Sequence, residues 1–363
     1  MTVQRILRKM NFAVRRIFES RQVSLAPEEI AQLNFYQFKA STAEFFYERF
    51  NRTTIKVLDT PHFAFASALA QGRAKDIATA EEYYKNYLLS SWGRDKLSSI
   101  NKRVQEFRLT FEYYRRFGIR EKPILTNLPT DKHAYVVDGN HRAAIAAALN
   151  MRIDAIIWPA SLAFSKFSRV PGFYGADVKN EPYQTIILQG SEVIRGRRID
   201  LERRLLMIPP HVIQGKSILD VACNAGMSAL LAYSLGARKC VGIEVSPKLV
   251  DLACRFAMFS GAFPCVTYRC LDIDKEDLND DESYDTAFFF SIYSHLRDPY
   301  RLVSIARKNV RHFVVFEGHP GQREKDYVKF FHSGVFKNVM ELGRLDTSRY
   351  KQDRARVLWL CEK

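Results

Sequence analysis

Residues 217–226, Ser217-Ile218-Leu219-Asp220-Val221-Ala222-Cys223-Asn224-Ala225-Gly226, followed by Gly242-Ile243-Glu244, decide the fold. The apolar run Ile218 to Val221 reads as a first central strand and Ala222 to Gly226 as a tight turn. Met227 to Leu235 reads as a helix, and Val241 to Glu244 as a second strand ending in a carboxylate. Strand, turn, helix and strand in that order make one unit of a doubly wound α/β sheet. Such sheets hold their ligands beyond the carboxyl ends of the strands.

Working outward, the acidic residues fall where a ligand would meet them. Asp220 ends the first strand, and the backbone amides of the turn and the positive helix end suit a carboxylate or phosphate. Gly226 leaves space for a cofactor or for neighbouring backbone. Glu244 is placed to accept hydrogen bonds from two ribose hydroxyls, and Asp272, after the strand Val266 to Cys270, to meet an adenine amino group. Tyr284-Asp285 opens a strand Thr286 to Phe290, which runs into the loop Ser291 to Pro299. A fifth strand, Phe313 to Phe316, leads to Glu317-Gly318-His319 on the cleft side, and Arg356 to Cys361 reads as a terminal antiparallel strand. Residues 321–337 read as a lid or last helix whose basic residues suit an anionic acceptor. Taken singly, Asp220 is a turn former, Glu244 a solvated strand end and Asp272 part of a charged run. Their joint placement favours a cofactor.

These features resemble the class I S-adenosylmethionine-dependent methyltransferases over residues 199–363: Asp220-Val-Ala-Cys-Asn-Ala-Gly226, then Glu244, then Asp272. The resemblance implies a Rossmann-like seven-stranded sheet and S-adenosylmethionine as cofactor. It places the loop with Ala222, Asn224 and Gly226 beside the methionine part, Glu244 at the ribose, and Asp272 with Ile273 at the adenine. Two positions depart from the family pattern, since Ala222 and Asn224 stand where glycine is usual. Alanine adds one methyl, and asparagine tolerates left-handed backbone. A dinucleotide site would want GxGxxG, whereas 222–227 reads ACNAGM. Methyl transfer from a sulfonium needs alignment and desolvation more than covalent help. A hydroxyl or amine acceptor can need a base, for which His295 and then His319 are candidates, with Tyr293 and Glu317 shaping the acceptor pocket.

A second site precedes these. Asp138-Gly139-Asn140-His141-Arg142 lies between a strand, Ala134 to Val137, and an alanine-rich helix, Ala143 to Leu149. Its amides and Arg142 can hold phosphate oxygens. The plainer reading has Asp138 as a helix cap, Arg142 in a structural ion pair and His141 filling a polar gap. The motif resembles the ParB and sulfiredoxin-like superfamily over residues 52–160, with a long helical insertion at 78–117. That resemblance implies a smaller α/β domain binding a nucleotide at this turn. The catalytic cysteine of the sulfiredoxin branch would fall at Asn140, which argues against sulfur reduction.

Length and charge frame the whole. At 363 residues the chain is long enough for two cores. Four regions are expected: an N-terminal helical region 1–51, the ParB-like domain 52–160, a connecting region 161–198 with a hairpin, and the methyltransferase domain 199–363. Of the net charge of +15, the first 200 residues carry +11, a field that draws anionic partners. Residues 2–18 read as an amphipathic basic helix that could lie on an anionic membrane or dock on protein. Residues 27–50 and 78–117 read as mainly helical. No apolar run reaches the ~18 residues needed to cross a bilayer, and no cleavable leader is visible. The six cysteines form no CxxC pair, so no metal or disulfide framework is expected and a cytoplasmic setting is. The acceptor stays open among small molecule, glycan and nucleotide-linked sugar. A coupled kinase, a nucleic-acid methyltransferase and a non-catalytic binding protein are the other readings.

Overall fold

The computed structural model describes residues 20–32, 40–50, 55–93, 96–127, 133–160, 163, 182–188, 191–199, 201–279, 281–320, 322, 324–345 and 356–363. The expected helix at 2–18 lies outside the described residues. The chain divides into two compact units, Met1–Lys166 with Gln189–Val193, and Phe167–Leu188 with Ile194–Lys363.

The first unit contains β1 (Arg21–Leu25), β2 (Ile30–Gln32), α1 (Ala40–Phe50), β3 (Ile55–Lys56), α2 (Pro61–Gln71), α3 (Ala74–Trp92), α4 (Leu97–Phe117), β4 (Ile124–Asn127), β5 (Ala134–Asp138), α5 (Asn140–Ala148) and β6 (Ile153–Trp158). Its mixed six-stranded sheet has the order β1-β6-β4-β5-β2-β3. Two of its strands, β1 and β2, fall in the stretch expected to be helical. Both are short, and β1 gains its place only by antiparallel pairing with β6, far along the chain. Ile30, Leu125, Val136, Ala144 and Ala155 form the core under this sheet.

The second unit holds β7 (Ile186–Leu188), while β8 (Ser191–Ile194) falls largely in the Gln189–Val193 segment of the first; the second unit continues with α6 (Leu201–Leu206), α7 (Pro210–Ile213), β9 (Ser217–Val221), α8 (Met227–Ser234), β10 (Lys239–Glu244), α9 (Pro247–Phe259), β11 (Val266–Cys270), β12 (Tyr284–Phe290), α10 (Tyr300–Asn309), β13 (Val310–Glu317), α11 (Val328–Phe331), β14 (Asn338–Leu345) and β15 (Arg356–Glu362). The seven strands run in the order β11-β10-β9-β12-β13-β15-β14. β9 pairs in parallel with β10 and β12, while β15 lies antiparallel to β13 and β14. Every residue of β9 is buried, as expected for a central parallel strand covered on both faces. Strand order reverses at β9, so the carboxyl ends of β9 and β12 open the crevice where such sheets take ligands.

The opposite end of the sheet is fastened by Asp285, whose Oδ2 accepts both the backbone N–H and the hydroxyl of Ser217 at 2.8 Å. That contact ties the starts of β9 and β12 together and keeps Asp285 away from the crevice. Among the described residues, no helix is long and apolar enough to cross a membrane.

Candidate cofactor and acceptor site

The turn after β9 holds a backbone that its residues resist. Ala222 and Asn224 take φ of 58° and 53°, the left-handed region that glycine enters freely. Such geometry costs about 1–2 kcal/mol for a residue with a Cβ and persists only where the surroundings over-determine it. Here they do. Cys223 N–H donates to Ile243 O at 2.9 Å, Asn224 N–H to Glu244 Oε2 at 3.0 Å, and Gly226 N–H to Cys223 O at 2.9 Å.

Gly226 caps α8 with φ of 77°, but the space over its Cα belongs to the protein. A Cβ there would lie 2.5 Å from the Tyr268 ring, whose hydroxyl donates to Gly226 O at 2.7 Å. Of the two uses expected for this glycine, space for a cofactor or for neighbouring protein, the space a side chain would fill is taken by protein. Gly242 serves the same ring, since a Cβ on it would lie 2.4 Å from Tyr268 and 2.8 Å from Cys223 Sγ.

Asp220 is 2 % exposed at the end of β9 and borders a recess of about 30 Å³. Its Oδ2 has no hydrogen-bond partner among the described residues. Burial pushes its carboxyl up to about 7, with Arg204 opposing and Glu244 adding to the rise. Glu244 binds the loop through Oε2 and the Ser246 N–H through Oε1 at 3.0 Å, and burial raises its pKa against the Ser246, Asn224 and Val245 amides. A carboxylate offers about four acceptor positions, so the Asn224 and Ser246 amides leave acceptor capacity on Glu244 for further donors. Asp272 lies at the end of β11, paired with Lys275 at 2.7 Å and accepting Asp274 N–H at 3.1 Å. The Ile273 side chain packs in the core cluster of this unit, and its carbonyl accepts Arg301 Nε–H at 2.7 Å.

The other wall of the recess comes from residues that the sequence did not single out. Tyr183, Gln184, Arg198 and Arg204 line it together with Ala222, Phe290 and Ser291. Arg204 spans three elements. It donates to Glu317 Oε2 at 2.8 Å and Ser228 Oγ at 2.6 Å, and its guanidinium lies 3.9 Å from the Phe290 ring centre. A signal existed, since Arg204 shares the buried stripe of α6 with Leu201 and Leu205.

Glu317 is not an acceptor-binding residue. It is 0 % exposed, with one oxygen held by Arg198 and the other by Arg204. Burial alone would raise its pKa, yet Arg198, Arg204 and Arg356 hold it down to about 2. Tyr293 packs edge-on against Phe316 and Tyr327, with ring centres 5.9 and 5.2 Å away. His295 and His319 come together beyond β12 and β13, with ring centres 5.1 Å apart. Burial, then Arg356 and His295, lower the His319 pKa to about 4, and its Nε2 accepts Ser294 N–H at 3.4 Å. Among the described residues there is no group of side chains able to hold a metal.

The sequence-predicted phosphate site in the first unit folds differently. α5 starts at Asn140, and its cap is Gly139 with φ of 103°, not Asp138. Arg142 is paired with Asp138 at 2.9 Å and Glu121 at 3.2 Å. His141 turns inward, its Nε2 2.9 Å from Tyr84 Oη and its ring 4.7 Å from Phe107 and 5.3 Å from His62. Burial keeps both imidazoles neutral, lowering His62 to about 3 and His141 well below its usual value. The cation and the imidazole expected to face an anion are therefore engaged by the protein. Asn140 Oδ1 is buried without a partner among the described residues.

A family described as a methyltransferase domain matches residues 218–312, the span from β9 into β13. No curated protein matches the chain. A candidate RNA methyltransferase from Pyrococcus horikoshii shares 16% identity over 55% of this chain and 92% of its own, with a TM-score of 0.39. Magnesium protoporphyrin IX methyltransferase from Synechocystis, with bound S-adenosylmethionine, shares 17% over 45% of this chain and 78% of its own, TM-score 0.37. A methyltransferase from Aquifex aeolicus shares 14% over 46% and 90%, TM-score 0.36. The second unit thus carries a methyltransferase-domain match over residues 218–312, set in a Rossmann-type seven-stranded sheet.

The site fits the cofactor's polar groups. A partnerless buried carboxylate oxygen beside a recess of about 30 Å³ suits a single ammonium, which takes about the room of one water. Glu244 keeps acceptor capacity at the end of β10 for a sugar hydroxyl.

Proposed function

We propose that the second unit methylates an oxygen or nitrogen on a small-molecule, glycan or nucleotide-linked acceptor, with His295 as the proton acceptor. The bound cofactor supplies an electrophilic methyl group on a sulfonium. The chain's task is to hold the cofactor's head at Asp220 and Glu244, keep water from the crevice and take a proton from the acceptor. The observation that carries this reading is the imidazole pair at the carboxyl ends of β12 and β13, beyond the cofactor loop of β9. Of the two, His319 is the weaker base, lowered to about 4 and already accepting the Ser294 amide. His295 is exposed and free to reach an acceptor. Tyr293, set against Phe316 and Tyr327, supplies an apolar wall nearby.

The test is transfer of a labelled methyl group to acceptor panels by the full chain. Label should enter the small-molecule or glycan fraction, and His295→Ala should lower kcat while cofactor affinity is kept. Label entering only RNA or DNA would favour the nucleic-acid reading, as would an affinity for either polymer that falls steeply with salt. For the first unit we keep the ParB-like nucleotide-binding reading on one feature, the β5–Gly139–α5 turn with its first-turn amides. Nucleotide titration tests it. Retained binding with no phosphotransfer supports a holding role, and phosphotransfer lost in Arg142→Ala supports a coupled kinase.

A further inference from the structure

The loop that carries the cofactor is strained at two positions, and it is tied to β10 through Cys223 N and Asn224 N. Cys223 O, which already accepts Gly226 N–H, and Met227 N are also met by a side chain outside the residues that the methyltransferase-domain family matches. Gln184 Nε2 donates to Cys223 O at 3.3 Å, and Met227 N–H donates to Gln184 Oε1 at 3.4 Å. One amide thus spans the turn, from its second residue to the first residue of α8. A carbonyl must be met by the NH₂ and an N–H by the oxygen, so the two partners also fix which way the amide faces.

Gln184 is held in place as firmly as the loop it touches. It is 7 % exposed and paired through a parallel bridge with Arg198. Arg198 N–H donates to Tyr183 O at 2.7 Å and Thr185 N–H to Arg198 O at 3.0 Å, while the Thr185 hydroxyl donates to the same carbonyl at 2.7 Å. Gly196 makes this approach possible, because a Cβ there would lie 2.4 Å from the Gln184 carbonyl. Arg198 in turn is anchored by Glu317 at the end of β13. The paired segments 182–185 and 196–198 are therefore tied to the end of β13 through Arg198 and to the loop after β9 through Gln184.

We infer that Gln184 is a positioning residue for the cofactor: it holds residues 222–227 in the strained shape that receives S-adenosylmethionine, doing through a side chain what glycine does for the usual loop. The inference rests on the reading of this loop as the cofactor loop. Without Gln184 the turn keeps its own amide bonds but loses the tie between Cys223 O and Met227 N, so the loop samples more shapes and each binding event must restore the competent one before contacts form. The cost appears as weaker cofactor binding, with kcat at saturating cofactor little changed.

The test is calorimetric titration of the full chain with S-adenosylhomocysteine, alongside hydrogen exchange at loop amides. In Gln184→Ala the affinity should fall about tenfold or more, KM for S-adenosylmethionine should rise with kcat nearly kept, and the Met227 amide should exchange faster while β10 and β12 amides stay unchanged. Gln184→Glu keeps the acceptor for Met227 and loses the donor to Cys223 O, so it should fall between. It also serves if the alanine variant folds poorly. Wild-type affinity in both variants, whatever the exchange rates, overturns the inference and leaves the cofactor reading standing. A wild-type chain that takes up no S-adenosylhomocysteine overturns both.

Discussion

On the proposed reading of the site, Asp220 links cofactor binding to pH. Burial raises its folded-state pKa from 3.8 to about 7, so the folded chain binds more protons than the unfolded chain between those values. The sign follows: Asp220's contribution to stability is fully present below pH 3.8 and is lost as pH rises through about 7. Cofactor binding runs the other way, because an ammonium prefers the ionised carboxylate. Affinity for S-adenosylhomocysteine should therefore rise from about pH 6 to pH 8 with protons released below about 7, as read by calorimetry in buffers of different ionisation enthalpy. Asp220→Asn should bind more weakly and lose this dependence. Glu317 is the opposite case. Its carboxyl is held down to about 2 between Arg198 and Arg204, so its contribution is present above pH 4.5 and lost as pH falls through about 2. Glu317→Gln should cost about 3–5 kcal/mol of unfolding free energy in urea, a loss that a solvent-facing acceptor residue would not produce.

At the scale of elements, the strands and turns from β9 to β12 were legible because their pattern is local. β9 and β12 are buried on both faces and read as continuous apolar runs, and Glu244 ends β10 where the periodicity says it should. Within the connecting region, the bridge between Gln184 and Arg198 was not legible. It forms through a close backbone approach at Gly196, which no periodicity records. For the same reason β1 and β2 read as part of a helical region, since their pairing with β6 and β5 is the whole of their signal. His141 was misread because sequence cannot say which side of α5 faces Tyr84 and Phe107. Packing of β10 against β11 gives a prediction at this scale. Gly242→Ala would press a methyl into the Tyr268 ring and Cys223 Sγ, and should lower stability by about 1–3 kcal/mol. Tyr268→Ala in the same chain should recover part of the Gly242 penalty in a double-mutant cycle.

For the whole molecule, charge and topology divide the work. The excess of +11 in the first 200 residues is a field that gathers anions without choosing among them. The second unit supplies the chemistry: a strained loop at the end of β9, a buried carboxylate with a partnerless oxygen, a second carboxylate at the end of β10, and a pair of imidazoles beyond β12 and β13. The most direct check is titration of S-adenosylhomocysteine into the wild-type chain, Asp220→Asn and Glu244→Gln at pH 8. One molecule should bind per wild-type chain, with affinity reduced about tenfold or more in each variant. No saturable heat from the wild type, or equal affinity in all three, would contradict the placement of the cofactor at this rim.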